Sequence, residues 1–179
     1  DKSQLNVVPY KQKTRLGKVD VEFLKVTHSI PDSAAIALHT PYGTLLHTGD
    51  FKFDLTPVTE DPADFQRLAE LSSEGNGVLA IIADSTNASK PGHSKSEGDI
   101  SETLHKLIRD AEGRVIVSTF SSLLNRIQQT VEHAKKYNRT VFVSGRSMMT
   151  NIEIAQNLGY LKAPRGLIRK AGPGMDNLP

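Results

Sequence analysis

The sequence predicts an α/β protein built from two parts, because two patterns of apolar residues follow one another along its 179 residues. In the first half, short apolar runs are separated by turn residues, which is typical of β-strands. In the second half, segments with helical apolar periodicity alternate with short continuous apolar runs. That alternation predicts a parallel sheet with right-handed crossovers. A polar Pro-Gly stretch at Ser89–His93 separates the halves and predicts domains at 1–88 and 89–179.

Four strands, a helix and a fifth strand are predicted in the first half. Tyr42-Gly43 between two of the runs indicates a hairpin turn, with Gly supplying the unusual φ. Asp64 is expected to be the N-cap of the helix or an acidic residue of its first turn. The run Val78–Ala83 is apolar throughout, which predicts a strand buried on both faces. The other predicted elements are the strands Asn6–Lys11, Val19–Val26, Ala34–His39 and Thr44–His47, and the helix Ala63–Ser73.

Three amphipathic helices and two strands are predicted in the second half. Ser94-x-x-Glu97 has the form of a capping box at the first helix. Gly159 is the glycine expected after the end of the last one. The tail Lys162–Pro179 holds three prolines and three glycines and is predicted to be irregular. In chain order the elements are helix Glu97–Glu112, strand Val115–Thr119, helix Leu123–Tyr137, strand Thr140–Ser144 and helix Ser147–Leu158.

The composition excludes several classes of protein. Hydrophobic residues make up 37% of the chain, and no apolar run approaches the ~20 residues that a membrane helix needs. The sequence has no cysteine, which excludes disulfides and thiolate zinc sites. Both observations are compatible with a protein of the reducing cytoplasm, and no membrane partner is expected.

The charged residues are distributed unevenly between the halves. Residues 1–87 carry a net charge of −4 and residues 88–179 a net charge of +6, which gives the overall +2. An acidic part that gathers cations beside a basic part that gathers phosphates suits chemistry on phosphodiesters. Ordinary surface charge is the alternative explanation, since sequence-level charge indicates partners only loosely.

Two polar residues stand directly after strand-like runs. His28 follows Val21–Val26, and Asp50 follows Thr44–Leu46. Side chains at strand ends are held by a stiff sheet yet face solvent, as a metal site requires. Imidazole and carboxylate are common ligands of zinc and manganese. The alternatives that need no metal are a histidine bonded within its own turn and an Asx turn after Gly49.

The sequence motifs around these residues resemble those of the metallo-β-lactamase superfamily, and within it those of the β-CASP nucleases of the bacterial ribonuclease J type. His28 stands in THSIPDS (residues 27–33), which is similar to the third metal motif of that family. Asp50 stands in HTGDFKFD (residues 47–54), which is similar to the fourth. The resemblance continues through residues 83–88, 118–128 and 143–148 and covers nearly the whole chain.

This resemblance implies part of a metallo-β-lactamase αββα fold joined to part of a β-CASP parallel-sheet α/β domain. It implies two zinc ions in the intact active site, with manganese or magnesium as other candidates. His28 would be a ligand of one ion, and Asp50 would bridge both, since a carboxylate has two oxygens. Asp84 would orient a metal-bound histidine. The alternative for Asp84 is a turn or N-cap aspartate.

The other metal motifs of the family are absent from this sequence. The first, His-x-His-x-Asp-His, needs close histidines, whereas the six histidines here are never closer than eight positions. His28 and Asp50 alone cannot hold two ions ~3.5–4 Å apart. We therefore expect the 179 residues to be the middle of a longer enzyme and to be inactive alone. His39 and His47 match no family motif and are not expected to be ligands.

The residues predicted to contact substrate lie in the second half. Phe120 would stack on a base, and Ser121 and Ser122 would donate hydroxyls at a helix start. Arg126 would reach a phosphate from about one turn further along. Arg146 repeats the arrangement at the next strand-to-helix junction. Plain helix capping is the alternative at both junctions.

The resemblance implies metal-dependent hydrolysis of RNA, by endonucleolytic cuts and 5′-to-3′ exonucleolytic trimming, in RNA maturation and decay. The expected partner is single-stranded RNA with a 5′-monophosphate, and the intact protein is expected to be a homo-oligomer. Two alternatives stay open: a nucleic-acid-binding module without catalysis, and a related β-CASP nuclease acting on DNA. No residue is identified that would read the 2′-hydroxyl group that distinguishes RNA.

Overall fold

The structure, a computed structural model, describes residues 5–172. Its elements confirm the predicted α/β class, with both parallel and antiparallel strand pairs. No helix in this range is long and apolar enough to cross a membrane. In chain order the elements are β1 Lys13–Leu16, β2 Val19–Lys25, β3 Ala34–Thr40, β4 Gly43–His47, α1 Phe65–Glu70, β5 Val78–Ile82, α2 Glu97–Asp110, α3 Leu124–Lys136, β6 Val141–Val143, α4 Arg146–Asn157 and β7 Ile168–Lys170.

The described chain divides into two compact units. The first holds the residues up to His28, 32–55 and 61–94, and the second holds 29–31, 56–60 and the residues from Lys95 onward. The chain passes from the first unit to the second for the last time between Ser94 and Lys95, close to the predicted boundary. Two short earlier segments also belong to the second unit. The assignment of residues 1–88 and 89–179 to two named domains stays a prediction.

The first unit is a five-stranded sheet in the order β1-β2-β3-β4-β5. Neighbouring strands are antiparallel except β4 and β5, which are parallel. The hairpin between β3 and β4 turns at residues 41–42 and confirms the predicted turn, with Gly43 at a φ of 135°. Its core is formed by Leu24, Val26, Ala35, Ala37, Leu46 and Leu71.

A buried charge network fixes α1 to this sheet. Glu22 of β2 is 1% exposed and accepts hydrogen bonds from Arg67 Nε at 2.7 Å and Nη2 at 3.0 Å. His39 Nε2 lies 2.8 Å from the same carboxylate. Asp64 caps α1 by accepting a hydrogen bond from the Arg67 backbone N–H, as predicted. Burial raises the pKa of Glu22, but the hydrogen bonds from Arg67 and His39 outweigh it and leave the pKa below its ordinary value.

The second unit packs α3 and α4 against the parallel strands β6 and β7. Its core is formed by Ile127, Val131, Val143, Ile152, Ala155 and Leu161. Ser96 caps α2, since its hydroxyl accepts a hydrogen bond from the Gly98 N–H at 3.2 Å. Gly159 follows α4 with a φ of 83°, as predicted for a glycine after a helix end.

Three strand predictions are corrected by the structure. Asn6–Lys11 is not a strand: Lys11 has a φ of 64°, which ends an extended run, and β1 forms at Lys13–Leu16 instead. Val115–Thr119 is not a strand either, because no strand within residues 5–172 pairs with it. The predicted irregular tail contains β7, which pairs with β6, while its residues 173–179 lie outside the described part of the chain.

Two further predictions about burial and capping are also wrong. Val78–Ala83 is a strand but is not buried on both faces, because β5 is the edge of the described sheet and Leu79, Ile81 and Ile82 are each 60% exposed. The helix α2 is capped by Ser96 rather than through Ser94, since the hydroxyl of Ser96 reaches the first turn.

Replacing Arg67 by alanine is expected to lower the free energy of unfolding by about 3 kcal/mol, because it leaves the Glu22 carboxylate buried without its main partner. Urea unfolding measures this change. Arg15→Ala is the matched control, since the Arg15–Asp20 pair is exposed and is expected to contribute under about 1 kcal/mol. Equal losses in the two variants would contradict the proposed importance of the buried pair.

Stability is expected to fall between about pH 4.5 and about pH 2. Hydrogen bonds from Arg67 lower the pKa of Glu74 from 4.5 to about 2, and the pKa of Glu22 is lowered as well. The folded state then binds fewer protons than the unfolded state, so this stabilisation is complete above the unfolded pKa and is lost as pH falls through the folded pKa.

Thermal unfolding of Glu74→Gln across this pH range tests the assignment, and the variant should show a shallower acid slope. Glu112→Gln is the control, because Glu112 is exposed and forms no ion pair within residues 5–172. An unchanged slope in Glu74→Gln would refute the linkage.

Candidate metal centre

Strand direction brings the three candidate residues of the first unit to one edge of the sheet. β2 and β4 are both antiparallel to β3, so they run the same way, and β5 is parallel to β4. The carboxyl ends of β2, β4 and β5 therefore lie at the same edge. His28, Asp50 and Asp84 follow these three strand ends within three residues.

His28 and Asp50 face each other at this edge. His28 Nε2 lies 3.9 Å from Asp50 Oδ2, and the two side chains are 32% and 80% exposed. Two ligands of one tetrahedral zinc, each about 2.0–2.1 Å from the ion, lie roughly 3.3 Å apart. A small side-chain rotation would bring the two atoms to that separation. The pair fits as part of a ligand set and remains open to solvent.

The described residues do not complete a metal site. Within residues 5–172, no group of three or more His, Asp or Glu side chains is placed to hold an ion. His39 bonds to the buried Glu22, and the His47 ring accepts a hydrogen bond from the Gly49 N–H at 3.0 Å. The expectation that neither histidine is a ligand stays a prediction. Bridging by Asp50 stays a prediction.

Asp84 is held by its own turn. Its Oδ1 accepts hydrogen bonds from the Thr86 N–H at 2.9 Å and the Thr86 hydroxyl at 2.7 Å. These bonds, with one from the Phe51 backbone and the nearby His28, lower the pKa of Asp84. The carboxylate therefore stays ionised and makes the turn that was the alternative prediction. It forms no direct hydrogen bond to His28 in this arrangement, so its orienting role stays a prediction.

Two of the predicted substrate-contact residues, Ser121 and Ser122, line a cleft of about 220 Å³ in the second unit. Phe120 is 81% exposed. α3 begins after Leu123 with no side-chain cap, so the serines are not used for capping. The remaining lining residues are Ile30, Pro31, Leu124, Asn151, Ile154, Ala155, Leu158 and Tyr160.

The two predicted arginines have different surroundings. Arg126 donates to Glu97 from Nη2 at 3.0 and 3.1 Å, and Glu97 is only 8% exposed. This internal pair engages its guanidinium, so the arrangement does not support the predicted phosphate contact of Arg126. Arg146 is exposed at the start of α4, whose N-cap Gly145 provides no side-chain cap.

Comparison with known proteins gives the same family for both halves. The family model for the ribonuclease J β-CASP domain matches residues 112–173. Ribonuclease J of Helicobacter pylori strain J99 is 43% identical over 163 residues, which is 91% of this chain and 23% of that protein. Ribonuclease J of Corynebacterium glutamicum is 47% identical over 152 residues, which is 85% of this chain and 21% of that protein. Ribonuclease J of Synechocystis is 42% identical over 168 residues, which is 93% of this chain and 26% of that protein.

This chain belongs to the ribonuclease J family. It spans about a quarter of the length of the curated ribonucleases J that it matches. A crystal structure of a protein of unknown function from Enterococcus faecalis V583 is also similar, with a TM-score of 0.63 at 14% identity. That match covers 99% of this chain and 47% of the other, and it shows a shared fold only.

Two threonines that sequence analysis missed brace the edge of the sheet carrying the candidate ligands His28 and Asp50, which we call the metal edge. Thr27 accepts a hydrogen bond at its carbonyl from the Lys52 N–H at 2.7 Å, and its hydroxyl donates to the Lys52 carbonyl. The Thr48 hydroxyl accepts a hydrogen bond from the Asp84 N–H at 3.0 Å. Each threonine precedes a candidate ligand by one or two residues, which is the signal that the sequence offered.

Gly49→Ala is expected to destabilise the protein by about 1–2 kcal/mol and to displace Asp50. Gly49 has a φ of 62°, and an added Cβ would lie 3.0 Å from the Ala34 carbonyl oxygen. Urea unfolding measures the loss. Gly113→Ala is the control, because an added Cβ there meets nothing within 4 Å and φ is not in the left-handed region. A Gly49→Ala protein as stable as Gly113→Ala would show that this turn tolerates a side chain.

Proposed function

We propose that the protein containing this chain is a metal-dependent hydrolase of RNA phosphodiesters. The observation that carries the proposal is the pairing of His28 and Asp50 at 3.9 Å, at the edge where three parallel-running strands end. The family membership supports a nuclease rather than another hydrolase. Because the chain covers about a quarter of its relatives, further ligands are expected from outside the described residues.

His28 and Asp50 would hold zinc-class ions together with those further ligands. When bound, such ions would activate water and neutralise charge on the phosphate. Manganese and magnesium remain candidates, since carboxylate and imidazole suit several divalent ions. Asp50 would supply an anionic oxygen ligand for a cation at an exposed position, and His28 would supply a nitrogen ligand held by the short loop after β2.

The second unit would bind the RNA. The exposed ring of Phe120 can stack on a base, which is a contact tolerant of sequence. The hydroxyls of Ser121 and Ser122, which do not cap α3, and the exposed Arg146 can donate hydrogen bonds to phosphate oxygens. Arg126 is omitted, because it is paired with Glu97. Single-stranded RNA with a 5′-monophosphate is the proposed substrate, cut internally and trimmed from its 5′ end.

The cellular process, the compartment and the oligomeric state are part of the same proposal. We propose RNA maturation and decay in the cytoplasm, carried out by a homo-oligomer of the full-length protein. The 179 residues alone are proposed to be inactive, since two ligands cannot hold two ions.

Asp50→Ala in the full-length protein is expected to lower RNA cleavage by at least 100-fold and to reduce bound metal, because it removes a charged ligand. Cleavage of a labelled single-stranded RNA and metal content by elemental analysis measure the two effects. Asp61→Ala is the matched control, since Asp61 is an exposed aspartate of the same unit without an ion pair in residues 5–172. Wild-type turnover in Asp50→Ala would eliminate the proposal.

A nucleic-acid-binding module without catalysis is the second candidate. The absence of a three-ligand group among residues 5–172 favours it. It predicts RNA binding that weakens with salt and no cleavage that a chelator abolishes. The same assays therefore separate the two candidates, since chelator-sensitive cleavage by the full-length protein is expected only of the hydrolase.

A further inference from the structure

Four cationic side chains crowd one short segment of the second unit. The basic segment comprises Lys162, Arg165, Arg169 and Lys170, all of them exposed. Residues 144–172 contain one further cation, Arg146, and a single acidic residue, Glu153. The positive charge of the second half is therefore concentrated near its β6–β7 pair.

The backbone that carries these cations is firmly held. Gln128, 7% exposed, accepts a hydrogen bond from the Lys162 N–H at 2.7 Å and donates to the Lys162 carbonyl at 3.1 Å. The Leu167 N–H closes a turn by donating to the Pro164 carbonyl at 3.2 Å. β7 then pairs with β6 at residues 168–170. The cations are therefore carried by a backbone that hydrogen bonds hold in place.

Three cations elsewhere in the same unit have acidic partners, whereas the cations of the basic segment have none among the described residues. Arg126 pairs with Glu97, Lys106 with Glu102 and Arg109 with Asp110. No carboxylate of residues 5–172 lies within ion-pair distance of any side chain of the basic segment. Arg169 uses only Nε, which donates to the Gly166 carbonyl at 3.1 Å. Its two terminal nitrogens form no hydrogen bond within residues 5–172 and can form a two-point contact with an oxyanion.

We propose that the basic segment is a contact surface for the phosphate backbone of single-stranded RNA. This inference rests on the proposed function and extends it by assigning residues to the substrate backbone outside the metal edge. Arg169 Nε donates to the carbonyl of Gly166, in the turn that carries Arg165, and Lys170 is the last residue of β7. Several cations close together on one ordered segment suit a chain of repeated phosphates, whereas a single acidic group would engage only one of them.

The test is salt-dependent binding of a 20-nucleotide single-stranded RNA by the full-length protein, in chelator so that cleavage does not interfere. The triple variant Arg165→Gln, Arg169→Gln, Lys170→Gln should weaken binding about tenfold or more at 0.1 M salt. The slope of log affinity against log salt should become shallower by about 2, since each phosphate contact with a single strand contributes about 0.7. Thermal unfolding confirms that the exposed substitutions leave the fold intact.

The double variant Lys106→Gln, Arg109→Gln is the matched control, since both of its cations already have acidic partners. It should bind within about twofold of the wild type. Similar losses for single-stranded RNA and DNA would support a contact to phosphates alone, and a loss for RNA only would support a contact that also involves the ribose. A triple variant with wild-type affinity and slope would overturn the inference.

The two proposals can fail separately. Wild-type cleavage by Asp50→Ala would remove the proposed hydrolase without changing the binding result. A triple variant that binds like the wild type, in a protein whose cleavage still requires Asp50, would remove only the basic segment from the RNA-binding surface.

Discussion

The burial of one carboxylate, that of Glu22, constrains the whole first unit. A charge at 1% exposure is stable only when donors replace the water that it has lost. Two N–H groups of Arg67 and the ring of His39 supply those donors. Arg67 belongs to α1, whose six residues are too few to form a stable helix alone. The ion pair and the buried Leu71 therefore hold α1 on the sheet, and the sheet in turn holds the metal edge.

The metal edge follows from the order and direction of the strands. Since β2, β4 and β5 run the same way, the loops that follow them emerge together. Thr27 links the loop after β2 to the loop after β4, and Thr48 links the latter to the turn of Asp84. These hydrogen bonds, from the backbone and from the threonine hydroxyls, thus fix the positions from which His28 and Asp50 face each other.

Local patterns predicted much of this fold, and tertiary context decided the rest. Short stretches of sequence encode the apolar runs of β2, β3 and β4 and the capping role of Asp64. β1 was missed because it is an edge strand that is largely exposed to water, so its residues are mostly polar and lack a strand-like apolar pattern. Val115–Thr119 has the composition of a strand, but a strand needs a partner, and composition does not specify one. The pairing of Arg126 with Glu97 likewise joins residues 29 positions apart, which no local pattern encodes.

The distribution of paired charges is more informative about function than the net charge of +6 in the second half. A cation that has an acidic partner at 3 Å loses most of its attraction for a distant phosphate, since the two charges cancel beyond a short range. Arg126 and Arg109 are of this kind. Arg165, Arg169 and Lys170 have no such partner within residues 5–172, so their charge is directed outward. Sequence analysis weighted all these cations alike, and only their neighbours in space distinguish a structural charge from one available to a substrate.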